Sequence, residues 1–285
     1  MTPGTMGNRS QWCISARVTR ENTALIPRGI ILILVLLMPS PIWADSAAPQ
    51  KTPTQSTPSG GRVLGPATCA SSNCHGSVNP RKGSQILQNE YVTWQRHDRH
   101  AKAFSVLRGD SALRMAQLLG ISDPSAEPLC LNCHTTYVPE KVQRGEKFSF
   151  EDGVSCESCH GNAEVWIQSH TETGTTHAMN LEHGQTDLVS LTNRTALCMS
   201  CHIGNKTQYV DHRLIGAGHP RLTFDLDTFE ALLPRHWRVD EDYIRRKEAY
   251  QPARAWLVGQ SALAAETIDR FLSAERTHFG VMPEL

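Results

Sequence analysis

The chain has 285 residues with 28 basic and 28 acidic side chains, 39% hydrophobic and 6% aromatic content. The balanced charge gives neither a basic surplus for nucleic acid nor an acidic tail, and the apolar content is low for building a large core. Nine cysteines and thirteen histidines are the unusual entries in the composition.

Residues 1–44 carry Arg9, Arg17, Arg20 and Arg28, then the apolar run Ile30 to Met38, then Pro39-Ser-Pro-Ile-Trp-Ala44. A positive region, a short apolar region and a small residue describe a signal peptide cleaved after Ala44. The apolar run is about half the roughly 20 residues that a membrane-spanning helix needs. The expected location is therefore the periplasm or the exterior, and Cys13 leaves with the leader. Residues 45–62, rich in Pro, Ser, Thr, Gln and Gly, read as a flexible tether. The remaining 63–285 form one expected domain.

Eight cysteines of that domain fall into four motifs, which leaves none for a disulfide. Cys130-Leu-Asn-Cys133-His134, Cys156-Glu-Ser-Cys159-His160 and Cys198-Met-Ser-Cys201-His202 share the order C-x-x-C-H. That order attaches c-type haem: each thiol adds to a vinyl group, and the adjacent imidazole binds the iron as proximal ligand. Cys69-Ala-Ser-Ser-Asn-Cys74-His75 is a looser version with four residues between the cysteines, for which a redox-active or accidental pair is the competing reading. These are sites two, three, four and one. Paired cysteines also build tetrahedral zinc sites, and the four pairs would make two of them. Histidine after the second cysteine separates the readings. It falls there by chance about once in 20 positions, so on the order of once in 100,000 for all four. The cofactor expected is four covalently attached haem c, whose apolar porphyrins would supply the missing core.

Asn89 to Leu107 reads as one helix, with Thr93, His97, His100, Phe104 and Leu107 on one face. At most one of His97 and His100 is expected to bind iron. Arg108 to Ala126 reads as a capped helix burying Ala112, Met115, Leu118 and Leu119, and Lys141 to Asp152 as a polar connection. Ala163 to His170 places Trp166 and His170 one turn apart. His170 follows site three so closely that it is expected to serve a neighbouring haem. His177 and His183 lie in a polar stretch and read as solvated. His212 follows site four. Small residues and Pro220 around His219 allow close approach to something bulky, and either histidine could be a distal ligand. Pro252 to Ala274 reads as a long helix with Gly280 as its stop. Nine histidines remain after the proximal four, whereas Met179 and Met282 are the methionines left for the C-terminal part, so bis-histidine ligation and low potentials are expected.

These residues resemble the tetrahaem cytochromes of the cytochrome c-554 type. The likeness lies in Tyr91-x-x-Trp94, Asp98-x-His100-Ala101, Cys130 to His134, Gly153-Val-Ser-Cys-Glu-Ser-Cys-His-Gly161 with Trp166 and His170, Cys198 to Gly204, Asp211-His212, Gly218-His-Pro-Arg-Leu222 and His236-Trp237. It departs from the family in the four-residue spacer of site one. The resemblance implies a mainly α, loop-rich multihaem cytochrome c fold organised around four haems. It also implies electron transport between redox proteins, with paired, partly stacked haems and distal ligands such as His100, His170, His212 and His219. A membrane-associated oxidoreductase is one kind of partner it allows. The expectation is an electron carrier with no catalytic residues. The alternative is an enzyme with one five-coordinate haem that reduces nitric oxide, hydroxylamine or nitrite.

Overall fold

A computed structural model describes residues 60–84, 86–205, 208–238, 241 and 252–280, with side chains up to 272 in the last segment. The expected signal peptide, and the expected tether up to residue 59, lie outside the described residues. The fold is mainly helical, as expected, with no strand among the described residues. An isolated bridge joins Val63 to Arg144. No described helix is long and apolar enough to cross a membrane.

Most of the helices are short, and five of them start at a residue whose side chain accepts a backbone N–H of the first turn. α1 (Glu90–His97) stops at Asp98, whose backbone is extended at φ −85° and ψ 129°. The single helix expected over Asn89 to Leu107 is therefore broken. The Asp98 carboxylate accepts from the His100 backbone N–H and starts a new turn, Arg99–Lys102, with a second turn at Ser105–Arg108. The break turns His97 out to solvent and leaves His100 half-buried. α2 (Asp110–Leu119) also ends earlier than expected, because Gly120 takes the left-handed conformation that closes a helix. Ala112 and Ala116 are buried and Met115 and Leu119 half-buried, so the expected stripe holds except at Leu118, which is 66% exposed.

α3 (Pro128–His134), α4 (Cys156–His160) and α6 (Leu191–His202) each end on a proximal histidine. A helical C-x-x-C puts both sulfurs on one face, with the imidazole one residue further round. α5 (His177–Glu182), α7 (His212–Ala217) and α8 (Leu226–Leu232) start at Thr176, Asp211 and Asp225, whose side chains accept a backbone N–H in the first turn. α9 (Pro252–Gly280) begins at the expected proline and runs on to the glycine expected as its stop.

Apolar packing is thin. Met199, Phe224, Leu226 and Ala255 form one buried cluster, where α9 meets α6 and α8. Phe104, Leu107 and Leu131 form a second, with Tyr137 and Phe150 against it. Among the described residues, two small clusters are little apolar burial, and the motif cysteines and proximal imidazoles stay partly exposed.

A polar anchor ties the start of the folded part to site three. Glu157, only 4% exposed, accepts from Leu64 N–H at 2.9 Å, Gly65 N–H at 2.7 Å and Ala163 N–H at 2.7 Å. Three buried donors lose their acceptor if this carboxylate is removed. Glu157→Ala is expected to destabilise the loaded protein by about 3 kcal/mol, read from denaturant melts.

Candidate haem sites

The described structure brings each proximal imidazole opposite one other histidine. His75 and His170 have centroids 6.4 Å apart and planes within 13° of parallel. His134 meets His219 at 6.5 Å, His160 meets His236 at 6.3 Å, and His202 meets His100 at 5.9 Å, all edge-on. The four partners are different residues from distant parts of the chain. An iron between two imidazoles needs about 2 Å to each nitrogen and about 1 Å more to each ring centre, so the centroids should lie about 6 Å apart. All four pairs have that spacing.

The nitrogens point the same way. His134 Nδ1 donates to the Ala103 carbonyl at 2.8 Å, His170 Nδ1 to Ile167 at 2.5 Å, His219 Nδ1 to Pro220 at 2.8 Å and His236 Nδ1 to Pro234 at 3.3 Å. His75 Nδ1 donates to Glu90 Oε2 at 3.0 Å and His100 Nδ1 to Asp98 Oδ1 at 2.9 Å. Anchoring Nδ1 fixes the tautomer that leaves Nε2 free for a metal. Burial, aided by the nearby His236 and His75, pushes the His160 imidazole down to about 4. Burial beside His100 does the same to His202. Both are therefore neutral near pH 7, the form that ligates.

The motif cysteines lie in adjoining pairs. The Cys69 and Cys156 thiols are close enough to pull the first down and push the second up, which puts site one beside site three. Cys133 and Cys201 are likewise close, and both accept from Gln208 Nε2, at 3.0 and 3.3 Å, which joins site two to site four. Those contacts hold the Cys133 thiol down at about 7, whereas burial pushes Cys159 up to about 12 and Cys198 up to about 11. Cys198 is close enough to raise Cys159, so sites three and four are also neighbours. Among the described residues, no three His, Cys, Asp or Glu side chains converge as a bare metal site requires. The zinc reading therefore finds no site among them.

Residues 68–161 match the family model of cytochrome c554 and c-prime. The match supports a multihaem cytochrome c family for this chain. A search of the curated proteins and a search of the solved structures found no match. The family binds haem c covalently, and it suggests an electron-transfer haem protein. The matched stretch covers sites one, two and three.

The residues present fit that group. Trp166 Nε1 is buried without a hydrogen-bond partner, and its ring lies edge-on to His170 at 5.2 Å. An orphan donor beside a paired imidazole is what a haem propionate would satisfy. His100, His170 and His219, expected as distal ligands, all lie opposite a proximal ring. His212 does not: it is exposed at the first position of α7, next to Asp211, which caps that helix through Leu214 N–H at 2.9 Å. His236 stands opposite His160 instead, a residue that sequence reasoning quoted in the His236-Trp237 motif but did not assign. Of the other histidines, His97, His177 and His183 are exposed, and the His278 side chain lies outside the described residues.

Site three is built against the segment that carries His100. Val154 N–H donates to the His100 carbonyl at 3.0 Å, and Trp94 Nε1 donates to the Val154 carbonyl at 3.0 Å. Thr136 Oγ1 accepts from Ser155 N–H at 2.9 Å and bonds the Ser158 hydroxyl at 2.7 Å, tying in the exit of site two. Gly153 allows this approach. Its φ is +67°, and a Cβ there would lie 2.5 Å from the His100 carbonyl oxygen. Gly153→Ala is expected to cost at least about 2 kcal/mol and to broaden the spectra of sites three and four. Denaturant melts and site-resolved NMR of the haem methyl groups check both.

Proposed function

We propose that this chain is an exported tetrahaem c-type cytochrome that relays single electrons between redox proteins in the periplasm. One observation carries the reading: each of the four proximal imidazoles is opposed by its own second histidine. A sixth ligand at every iron leaves no open position for a small substrate and keeps coordination constant between ferric and ferrous states. The haem would supply the redox chemistry. The chain's residues fix its axial ligands, exclude water and hold the sites close to one another.

In this reading the proximal and distal pairs are His75 with His170, His134 with His219, His160 with His236 and His202 with His100. His170 thus serves site one although it follows site three in sequence. The cysteine neighbours support a linear order: site one beside three, three beside four, four beside two. Electrons would enter and leave at sites one and two. The exposed Cys74 at one end supports contact with a partner there. The Arg-bearing apolar leader at 1–44 supports export, and a membrane-associated oxidoreductase remains a partner of the right kind.

Two measurements test this. The oxidised and reduced holoprotein should show four low-spin haems that do not bind added carbon monoxide or nitric oxide. A high-spin haem that binds them would replace the carrier with the nitrogen-oxide enzyme. Among variants, His236→Ala should create one high-spin haem at site three and His170→Ala one at site one, while His212→Ala leaves all four low-spin. A high-spin signal from His212→Ala, or the same haem perturbed by His160→Ala and His170→Ala, would overturn the pairing.

A further inference from the structure

We infer that Asp98 and Glu90 are potential-setting residues, holding the haems of sites four and one in the ferric state at potentials where site two is already reduced. The inference rests on the axial pairing proposed above, and it assigns a direction to the relay.

The six anchored imidazoles do not have equal partners. His134, His170, His219 and His236 donate to neutral backbone carbonyls. His75 and His100 donate to carboxylates. An anion accepting the Nδ1 proton gives the ring imidazolate character and makes Nε2 a stronger donor to iron. The charge favours the more positive ferric iron, so the potential falls. The effect is larger in a buried place, where the dielectric is low. The Asp98 side chain is 8% exposed and that of Glu90 17%.

Position adds to this. Asp98 lies close enough to His236 and to Cys159 for its charge to be felt at both, so it stands where sites three and four meet. Site two is different: His134 and His219 both rest on carbonyls. In the order one, three, four, two, the carboxylate-backed sites hold their electrons least tightly, and site two lies at the far end. Each transfer moves one electron, oxidising one iron and reducing the next. Electrons therefore enter at site one and collect at site two.

Both carboxylates also have structural duties, which the test must separate. Asp98 accepts from the His100 backbone N–H, and Glu90 Oε1 accepts from Leu87 and Gln88. Asp98→Asn keeps the one oxygen that accepts both His100 bonds and removes the charge, while Glu90→Gln keeps an oxygen for Leu87 and Gln88 and removes both the charge and the acceptor behind His75. The test is a potentiometric titration of the holoprotein with site-resolved NMR or EPR. In the unaltered protein, site two should be reduced first. Asp98→Asn should lower the ferric-to-ferrous ratio of site four about tenfold at fixed potential, which is about 59 mV for a one-electron couple. Site three should shift less and site two not at all. Glu90→Gln should do the same at site one alone, and it carries the test if Asp98→Asn does not fold. Unchanged potentials in four low-spin haems, or equal shifts at all sites, would overturn the inference. A high-spin haem in the unaltered protein would instead overturn the pairing on which it rests.

Discussion

Facing imidazoles, one from a cysteine motif and one from a distant segment, are the constraint around which this chain is arranged. His75 is drawn to His170, His134 to His219, His160 to His236 and His202 to His100. These four contacts cross the chain where apolar packing does not: the buried clusters are small, and both lie beside motif cysteines, at Cys130 and Cys198. A porphyrin between each pair would turn a weak ring contact into two metal bonds and bring the missing apolar surface with it. Short helices suffice in such a fold, because each need only present one ligand in the right direction.

The polar anchors follow the same logic. Glu157 ties the first described segment to site three, and Thr136 ties the exit of site two to the same helix. Gln208 spans Cys133 and Cys201. Thr136 and Gln208 each bridge two sites rather than two layers of secondary structure, so those sites are held at short range. Rigid spacing is what stepwise electron transfer asks of a scaffold, since its rate depends on distance and on little motion between steps.

What could be read in advance depended on how local the chemistry is. A C-x-x-C-H motif holds its thiols and its proximal ligand within five residues, so sites two, three and four were legible, and α3, α4 and α6 present them as the spacing implies. Distal ligands depend on contacts across the fold. His170 lies opposite His75 rather than His160, the side its short distance from Cys159 favours, whereas the place of His236 opposite His160 was not legible, because nothing in its neighbourhood distinguishes it from His212. Physical detail separates those two: Asp211 caps α7 and leaves His212 at its exposed start, while His236 is held by the Pro234 carbonyl next to Trp237. The early end of α2 has a simpler cause, the left-handed Gly120, which apolar periodicity does not register.

Asp98 shows why the helix expected over Asn89 to Leu107 fails where it does. Apolar periodicity runs through the segment, and a continuous helix would have set His97 and His100 side by side. A carboxylate at this position can bond its own chain two residues on, and here it does so twice, to the backbone N–H and to the ring of His100. The first bond ends one helix and starts the next turn. The second orients the imidazole and puts a negative charge behind it. The break and the ligand geometry thus have one cause, and a reading based on periodicity misses both together. Local pattern gives way where a side chain has a second task, and at Asp98 that place lies between two of the four sites.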